Sequence, residues 1–100
     1  MTVTTGHSSF NLEHVGGRVI RYDKRLDSPE GLNGYEAGTS IVERSVLDNL
    51  GRDGTWSWEE EVYPAMSGLI AAHLDDTPFW DMGTPERLRM LESFLKEGRA

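Results

Sequence analysis

The nine residues at 78–86, Pro-Phe-Trp-Asp-Met-Gly-Thr-Pro-Glu, constrain the fold of this chain most. Two aromatic residues favour a short strand over 78–82, and the glycine that follows provides a turn. Thr84 and Pro85 are typical of a helix N-cap and of the first helical position. Open α/β folds hold their ligands where a strand gives way to a helix. Asp81 is therefore a candidate site residue, and the alternative is that its carboxylate only orders the turn.

Composition describes a small acidic domain. One hundred residues, of which 37% are hydrophobic, predict a single domain over 1–100 with a modest core. The net charge of −7 argues against nucleic acid or an anionic membrane as the main partner. The absence of cysteine excludes disulfides, thiolate metal sites and a cysteine nucleophile. The first residues resemble no signal peptide, and no apolar run approaches the ~20 residues of a membrane span. We therefore expect a soluble, cytoplasmic protein.

A β-hairpin is predicted near the amino terminus, after a short strand over 2–5. Extended patterns over 10–15 and 18–23 flank a Gly-Gly pair at 16–17, and both turn positions of such a hairpin need positive φ. The alternation of the second arm puts three side chains on one face: Ile20, Tyr22 and Lys24. Lys24 is either a solvated lysine at a strand end or a cation that ends an apolar face.

The next predicted strand covers residues 35–43, after a loop over 27–34. Glu36 and Gly38 lie on one face of it, and a glycine within a strand leaves room for something to approach the backbone. The alternative is that Gly38 marks a bulge and that Glu36 is simply exposed. A short helix over 43–50, closed by Gly51, should follow.

A capping box is predicted at residues 57–60, Ser-Trp-Glu-Glu. The Ser57 hydroxyl should accept from the amide of Glu60, while the Glu60 side chain returns to the amide of Ser57. The acidic run at 59–61 then lies in the first helical turn, where the helix dipole favours negative charge, which explains it without a metal site. Pro64 should break or kink this helix near Tyr63.

Two more elements complete the expected fold. A strand is predicted over residues 69–74, and a last helix over about 85–97. The apolar stripe of that helix consists of Leu88, Leu91, Phe94 and Leu95. We expect this stripe to face the core.

Four motifs in order resemble a known family: Gly17-Arg-Val-Ile-Arg-Tyr-Asp-Lys24, Tyr35-Glu-Ala-Gly-Thr39, Ser57-Trp-Glu-Glu-Glu-Val-Tyr-Pro64 and Phe79-Trp-Asp-Met-Gly-Thr-Pro-Glu86. Together they are similar to the carboxyl-terminal, sugar-binding part of sugar-1-phosphate nucleotidyltransferases, most of all the mannose- and heptose-1-phosphate guanylyltransferase branch. The resemblance covers residues 15–97. It implies a partial nucleotidyltransferase (Rossmann-like) α/β fold, with a mixed sheet, a β-hairpin and helices on the sheet faces.

The resemblance also implies roles for particular residues. Lys24 matches the lysine that contacts the sugar phosphate, and Glu36 and Gly38 match positions that meet the sugar ring. Asp81 matches the second of two aspartates that hold the catalytic Mg²⁺. A lysine, an acid beside a glycine and a second acid are in any case able to bind a phosphorylated, hydroxyl-rich ligand together with a divalent metal.

Departures from the family pattern define what the chain should do. Nothing before Val15 resembles the glycine-rich loop that grips the nucleotide or the first metal aspartate, so 1–14 stay unassigned, and Glu36 stands where that branch often has Asn. A complete enzyme would transfer a nucleotidyl group from NTP to a sugar 1-phosphate and release pyrophosphate. Because that reaction depends on positioning by both halves, we expect no such activity from this chain alone. The alternatives are a non-catalytic binding protein that forms a homo-oligomer, or half of a split enzyme with a partner chain.

Overall fold

The computed structural model describes residues 1–7, 9–51, 53–77 and 80–98. The elements in chain order are β1 Thr2–Thr4, β2 Leu12–Val15, β3 Arg18–Tyr22, β4 Tyr35–Glu36, α1 Arg44–Asp48, a π-helix Trp58–Val62, α2 Tyr63–Ala65, β5 Ile70–Ala71, β6 His73–Leu74 and α3 Pro85–Lys96. The strands form two three-stranded sheets, in the orders β4-β1-β6 and β2-β3-β5. The first sheet is mixed, because β1 pairs antiparallel with β4 and parallel with β6. A mixed α/β class is confirmed, and two small sheets replace the one expected sheet.

The predicted hairpin is confirmed, and its faces differ from the simple alternation. Gly16 and Gly17 have φ of 60° and 79°, as a tight two-residue turn requires. The register between β2 and β3 shifts at one point, so that the residue Ile20 of β3 has no partner on β2. This bulge turns both Val19 and Tyr22 inward and leaves Ile20 exposed, which corrects the predicted face of Ile20 and Tyr22.

Gly34 lets the two sheets approach each other closely. Its amide donates to the carbonyl of Leu12, and its carbonyl accepts from the amide of Leu12, both at 3.1 Å. A Cβ at this position would lie 2.8 Å from Cγ1 of Val3 and 2.9 Å from Cδ1 of Leu12. The buried cluster beside this crossing consists of Val3, Leu12, Val19, Tyr22 and Tyr63. The core is therefore small and lies between the sheets.

Two predicted strands are shorter or divided. The strand expected over 35–43 ends at Glu36, because Gly38 has a φ of 85° and turns the chain out of the extended conformation. The strand expected over 69–74 is two strands in different sheets: β5 pairs with β3, and β6 pairs with β1. Hydrogen bonds to both sheets hold this crossing, since the amide of Ala72 donates to Gly17 and the amide of His73 to Met1.

The capping box is only half correct. The Ser57 hydroxyl accepts from the amide of Glu60 at 3.2 Å, as predicted. The carboxylate that returns to the amide of Ser57 is that of Glu61, at 3.0 Å, and not that of Glu60. The Glu60 carboxylate instead lies 2.7 Å from Nε of Arg25. A tertiary ion pair has therefore displaced the local cap that the spacing predicts.

The helix changes type near Tyr63, where a break or kink was predicted, since the π-helix ends at Val62 and α2 begins at Tyr63. The amide of Tyr63 donates to the carbonyl of Trp58, five residues earlier, in a wide π-type turn. Helix α2 then continues through Pro64 to Ala65, with the proline in its first turn, where a missing N–H is tolerated. Helix α2 also packs against β3.

The carboxyl-terminal helix is formed but not buried. Thr84 caps α3 by accepting from the amide of Arg87 at 3.2 Å, which confirms the predicted start. No residue of α3 is buried, and Leu88 and Leu95 are about half exposed, so the expected core role of its apolar stripe is wrong. The ring of Phe94 packs on that of Trp80, with centroids 4.9 Å apart.

The strand expected over 78–82 is not seen at residues 80–82, and residues 78 and 79 lie outside the described part.

The molecule is open for its size. Its accessible surface is 7132 Å², whereas a compact monomer of this mass exposes about 5,700 Å². Among the described residues, no helix is both long and apolar enough to cross a membrane.

Candidate functional site

A cavity of about 250 Å³ brings together two of the predicted site residues. Lys24 reaches it from the end of the hairpin and Glu36 from β4. The polar and aromatic residues that line it include Asn11, Tyr22, Lys24, Tyr35, Glu36 and Glu59. Three separate segments of the chain thus meet at one small polar cavity.

Lys24 is held in an ion pair across the wall of this cavity. Its Nζ lies 2.6 Å from Oε2 of Glu59, at the beginning of the π-helix. The hydrogen bond to Glu59 and the charge of that carboxylate raise the pKa of Lys24, so the ammonium stays protonated. The next residue, Arg25, pairs with Glu60 in the same way. The acidic run therefore binds the hairpin end as well as capping its own helix.

Glu36 is half buried and accepts two hydrogen bonds. Its Oε1 accepts from the hydroxyl of Tyr63 at 3.3 Å, and its Oε2 accepts from the amide of Gly38 at 3.0 Å. Burial is the largest influence and raises the pKa of Glu36 despite these bonds. Gly38 contributes through its backbone, since a Cβ there would meet open space. Its positive φ requires a glycine, and because Gly38 lies beyond the end of β4 the prediction that it lies within a strand is wrong.

Tyrosines surround the two charged residues. The rings of Tyr22 and Tyr63 meet edge to face, with centroids 5.0 Å apart. Burial, together with the charges of Glu59 and Glu36, raises the pKa of Tyr22 well above its ordinary value, and burial also raises that of Tyr63. Their hydroxyls therefore remain protonated hydrogen-bond donors at neutral pH. Tyr35 stacks on the imidazole of His7, with centroids 3.9 Å apart.

Sequence reasoning missed Glu59 as a cavity residue and the tyrosines as a group. Tyr22 was predicted to lie on the same face as Lys24, and this could have indicated that Tyr22 lies beside a site formed by Lys24. Nothing in the sequence placed Glu59 opposite Lys24, because that pairing joins residues far apart in the chain.

Asp81 lies apart from this cavity and does not line it. Its Oδ1 accepts from the amide of Gly83 at 2.9 Å, and its Oδ2 lies 2.7 Å from Nη1 of Arg87. A carboxylate suits Mg²⁺, but within the described residues no three histidine, aspartate or glutamate side chains gather into a metal-binding group. The prediction that Asp81 lies at the end of a strand is wrong, since residues 80–82 are not in a strand. In the structure, its carboxylate orders the turn before α3.

A larger cavity, of about 660 Å³, lies beyond the Lys24–Glu59 pair. Tyr22, Lys24 and Glu59 line both this cavity and the smaller one. Arg25 and Trp56 belong to the larger cavity alone. The ion pair is therefore a wall that the two cavities share.

No protein-family model matches the chain, and the searches of curated proteins and of solved structures also gave no match. A function for the chain is consequently a proposal that depends on its residues and their geometry.

Proposed function

We propose that this chain is the sugar-1-phosphate-binding part of a nucleotidyltransferase-like fold. The observation that carries the proposal is that Lys24 and Glu36 line one cavity. The resemblance of the four sequence motifs assigns these two residues to the phosphate and to the sugar ring. A cavity that joins them supports both assignments at once.

The chemistry of the cavity suits such a ligand. A protonated Lys24 is a point charge with three donors, which is a common way to bind phosphate. The Glu36 carboxylate can accept hydrogen bonds from sugar hydroxyls, and Tyr22 and Tyr35 add aromatic side chains to the cavity lining. The volume of about 250 Å³ suits a monosaccharide phosphate better than a dinucleotide.

In a complete site, this part would hold the acceptor while a nucleotidyl group moves from NTP to the sugar phosphate and pyrophosphate leaves. Asp81 would be one ligand of a Mg²⁺ that supplies neutralisation of phosphate charge in such a complete site, although in this chain its carboxylate pairs with Arg87 and lies apart from the cavity. The residues described here supply Lys24 and Glu36 to orient the acceptor. They provide no cradle for the nucleotide, and we propose that this chain alone is inactive.

Calorimetric titration with mannose 1-phosphate tests the proposal. We expect weak, measurable binding, and Lys24→Met should weaken it by about tenfold, as expected for a lost charge-assisted contact. Lys96→Met is the matched control, since Lys96 lies on α3 and pairs with Glu92. Equal binding by the wild type and Lys24→Met, or no binding of any sugar phosphate, would overturn the proposal.

A second candidate function is favoured by the open surface. The 7132 Å² of accessible area and the exposed Leu88 and Leu95 of α3 are typical of a protein that associates with another chain. Such a protein would be a homo-oligomer or half of a split enzyme. Sedimentation velocity at micromolar concentration tests this candidate, and a compact monomer that gains no mass with concentration would count against self-association.

A further inference from the structure

We propose that Glu59 controls anion binding in the small cavity by occupying Lys24, so that a ligand phosphate binds by displacing the Glu59 carboxylate. This inference rests on the proposed function of the cavity. It assigns Glu59 a specificity-determining role that its position in an acidic run does not suggest.

The geometry gives Glu59 the place that a phosphate oxygen would take. Its Oε2 lies 2.6 Å from Nζ of Lys24, a charge-assisted hydrogen-bond distance. Both side chains are partly exposed, at 50% for Lys24 and 40% for Glu59, so either can move without breaking the core. A phosphate that reaches Lys24 therefore competes directly with this carboxylate.

The charges of the cavity wall make this competition important. Lys24 carries one positive charge, and Glu36 and Glu59 carry one negative charge each, so the lining has a formal charge of −1. An incoming phosphate dianion is repelled while Glu59 stays in place. Once Glu59 swings away, Lys24 faces the ligand unpaired. The cavity then selects for a ligand that can offer Lys24 a better partner than a carboxylate.

Displacement of Glu59 would also open the wall between the two cavities. Tyr22, Lys24 and Glu59 line both of them, and the larger one extends past Arg25 and Trp56. The π-helix that carries Glu59 is still fixed at its start by the Ser57 cap and by the Arg25–Glu60 pair. Only the side chain of Glu59 has to move.

Glu60 offers a matched control for the test. It is the next residue on the same helix, it carries the same charge, and its carboxylate lies 2.7 Å from a different cation, Arg25. Glu60 lines the larger cavity and is not part of the smaller one. Glu59→Gln and Glu60→Gln therefore remove the same charge from neighbouring positions, and only the first frees Lys24.

The experiment is calorimetric titration of wild type, Glu59→Gln, Glu60→Gln and Lys24→Met with mannose 1-phosphate and with mannose at low salt. Glu59→Gln should bind mannose 1-phosphate about fivefold more tightly, the scale of a partly exposed ion pair. Its binding of uncharged mannose should stay within about twofold of the wild type, and so should binding of both ligands by Glu60→Gln. Circular dichroism shows that each variant is folded.

The outcomes separate the two proposals. If Lys24→Met weakens binding while Glu59→Gln binds like the wild type or more weakly, the role of Glu59 is overturned and the sugar phosphate site stands. Equal tightening in Glu60→Gln would also overturn it, because a general charge effect would then suffice. If no variant binds mannose 1-phosphate, the proposed function fails, and the role of Glu59 fails with it.

Discussion

The small cavity and the carboxyl-terminal segment at 80–98 hold their candidate residues in different ways. Lys24 is fixed by a partner far away in sequence, Glu59, and Glu36 by the distant Tyr63 together with the nearby amide of Gly38. Asp81 is fixed by partners within its own turn and the start of α3. The cavity is therefore a product of tertiary structure, whereas the surroundings of Asp81 are local. This difference indicates that the small cavity is preassembled and that the position of Asp81 depends on what α3 packs against.

The largest expected effect contrasts a leucine in each region. Leu12→Ala should lower the free energy of unfolding by about 3 kcal/mol, because Leu12 is fully buried and its loss leaves a cavity. Leu88→Ala should change it by less than about 0.5 kcal/mol, since Leu88 is half exposed on α3. Urea unfolding followed by circular dichroism measures both. A comparable loss for Leu88→Ala would mean that α3 packs into the core and that the two regions are not distinct.

A smaller effect is expected where the two sheets cross. Gly34→Ala should destabilise the fold by about 2 kcal/mol, because the new methyl group overlaps Val3 and Leu12. Gly6→Ala is the control, since its Cβ would make only an ordinary contact with Thr4, at 3.8 Å. The midpoints of urea unfolding compare the two variants. If both lose the same stability, steric crowding at the crossing is not what fixes the position of the cavity.

The smallest effect concerns the dependence of stability on pH. Burial raises the folded-state pKa of Glu36, so between its ordinary and its raised value the folded chain keeps a proton that the unfolded chain releases. The contribution of Glu36 therefore falls as pH rises through that window. Hydrogen bonds from the backbone and side chain of Thr5 lower the pKa of Asp76, so its contribution is lost as pH falls through the lowered value.

Glu36→Gln should consequently remove the loss of stability that occurs as pH rises above the ordinary pKa of a glutamate. Asp76→Asn should remove the loss of stability that occurs as pH falls through the lowered pKa of Asp76. Unfolding midpoints in urea from pH about 3 to about 7 measure both slopes. For each variant, the difference in stability between wild type and variant is plotted against pH. Slopes of the same sign in the two plots would contradict the assigned causes. The comparison separates the half-buried carboxyl of Glu36, on which desolvation has the largest influence, from the exposed carboxyl of Asp76, on which hydrogen bonds have the largest influence.

Local signals in the sequence predicted local structure well. Three predicted features follow from backbone requirements within a few residues. They are the Gly-Gly hairpin turn, the Thr84 cap and the hydrogen bond from the amide of Glu60 to the hydroxyl of Ser57. Lys24 and Glu36 were predicted as site residues, and the structure brings both to one cavity.

The remaining features depend on long-range pairing that periodicity cannot show. The bulge at Ile20 depends on the partner strand, and the division of residues 69–74 depends on two sheets that meet there. The apolar stripe of α3 has the pattern of a buried helix, yet Leu88 and Leu95 are about half exposed, since a pattern shows what a helix could bury and not what lies beside it. Glu59 was missed for the same reason, since its partner is on the hairpin.

The most direct test of the central claim is a map of amide chemical shifts during titration with mannose 1-phosphate. A preassembled sugar phosphate site predicts shifts at Lys24, at Glu36 and Gly38, and at Glu59, with much smaller shifts along α3. Shifts confined to Asp81 and α3, or none at all in the presence of millimolar ligand, would contradict it.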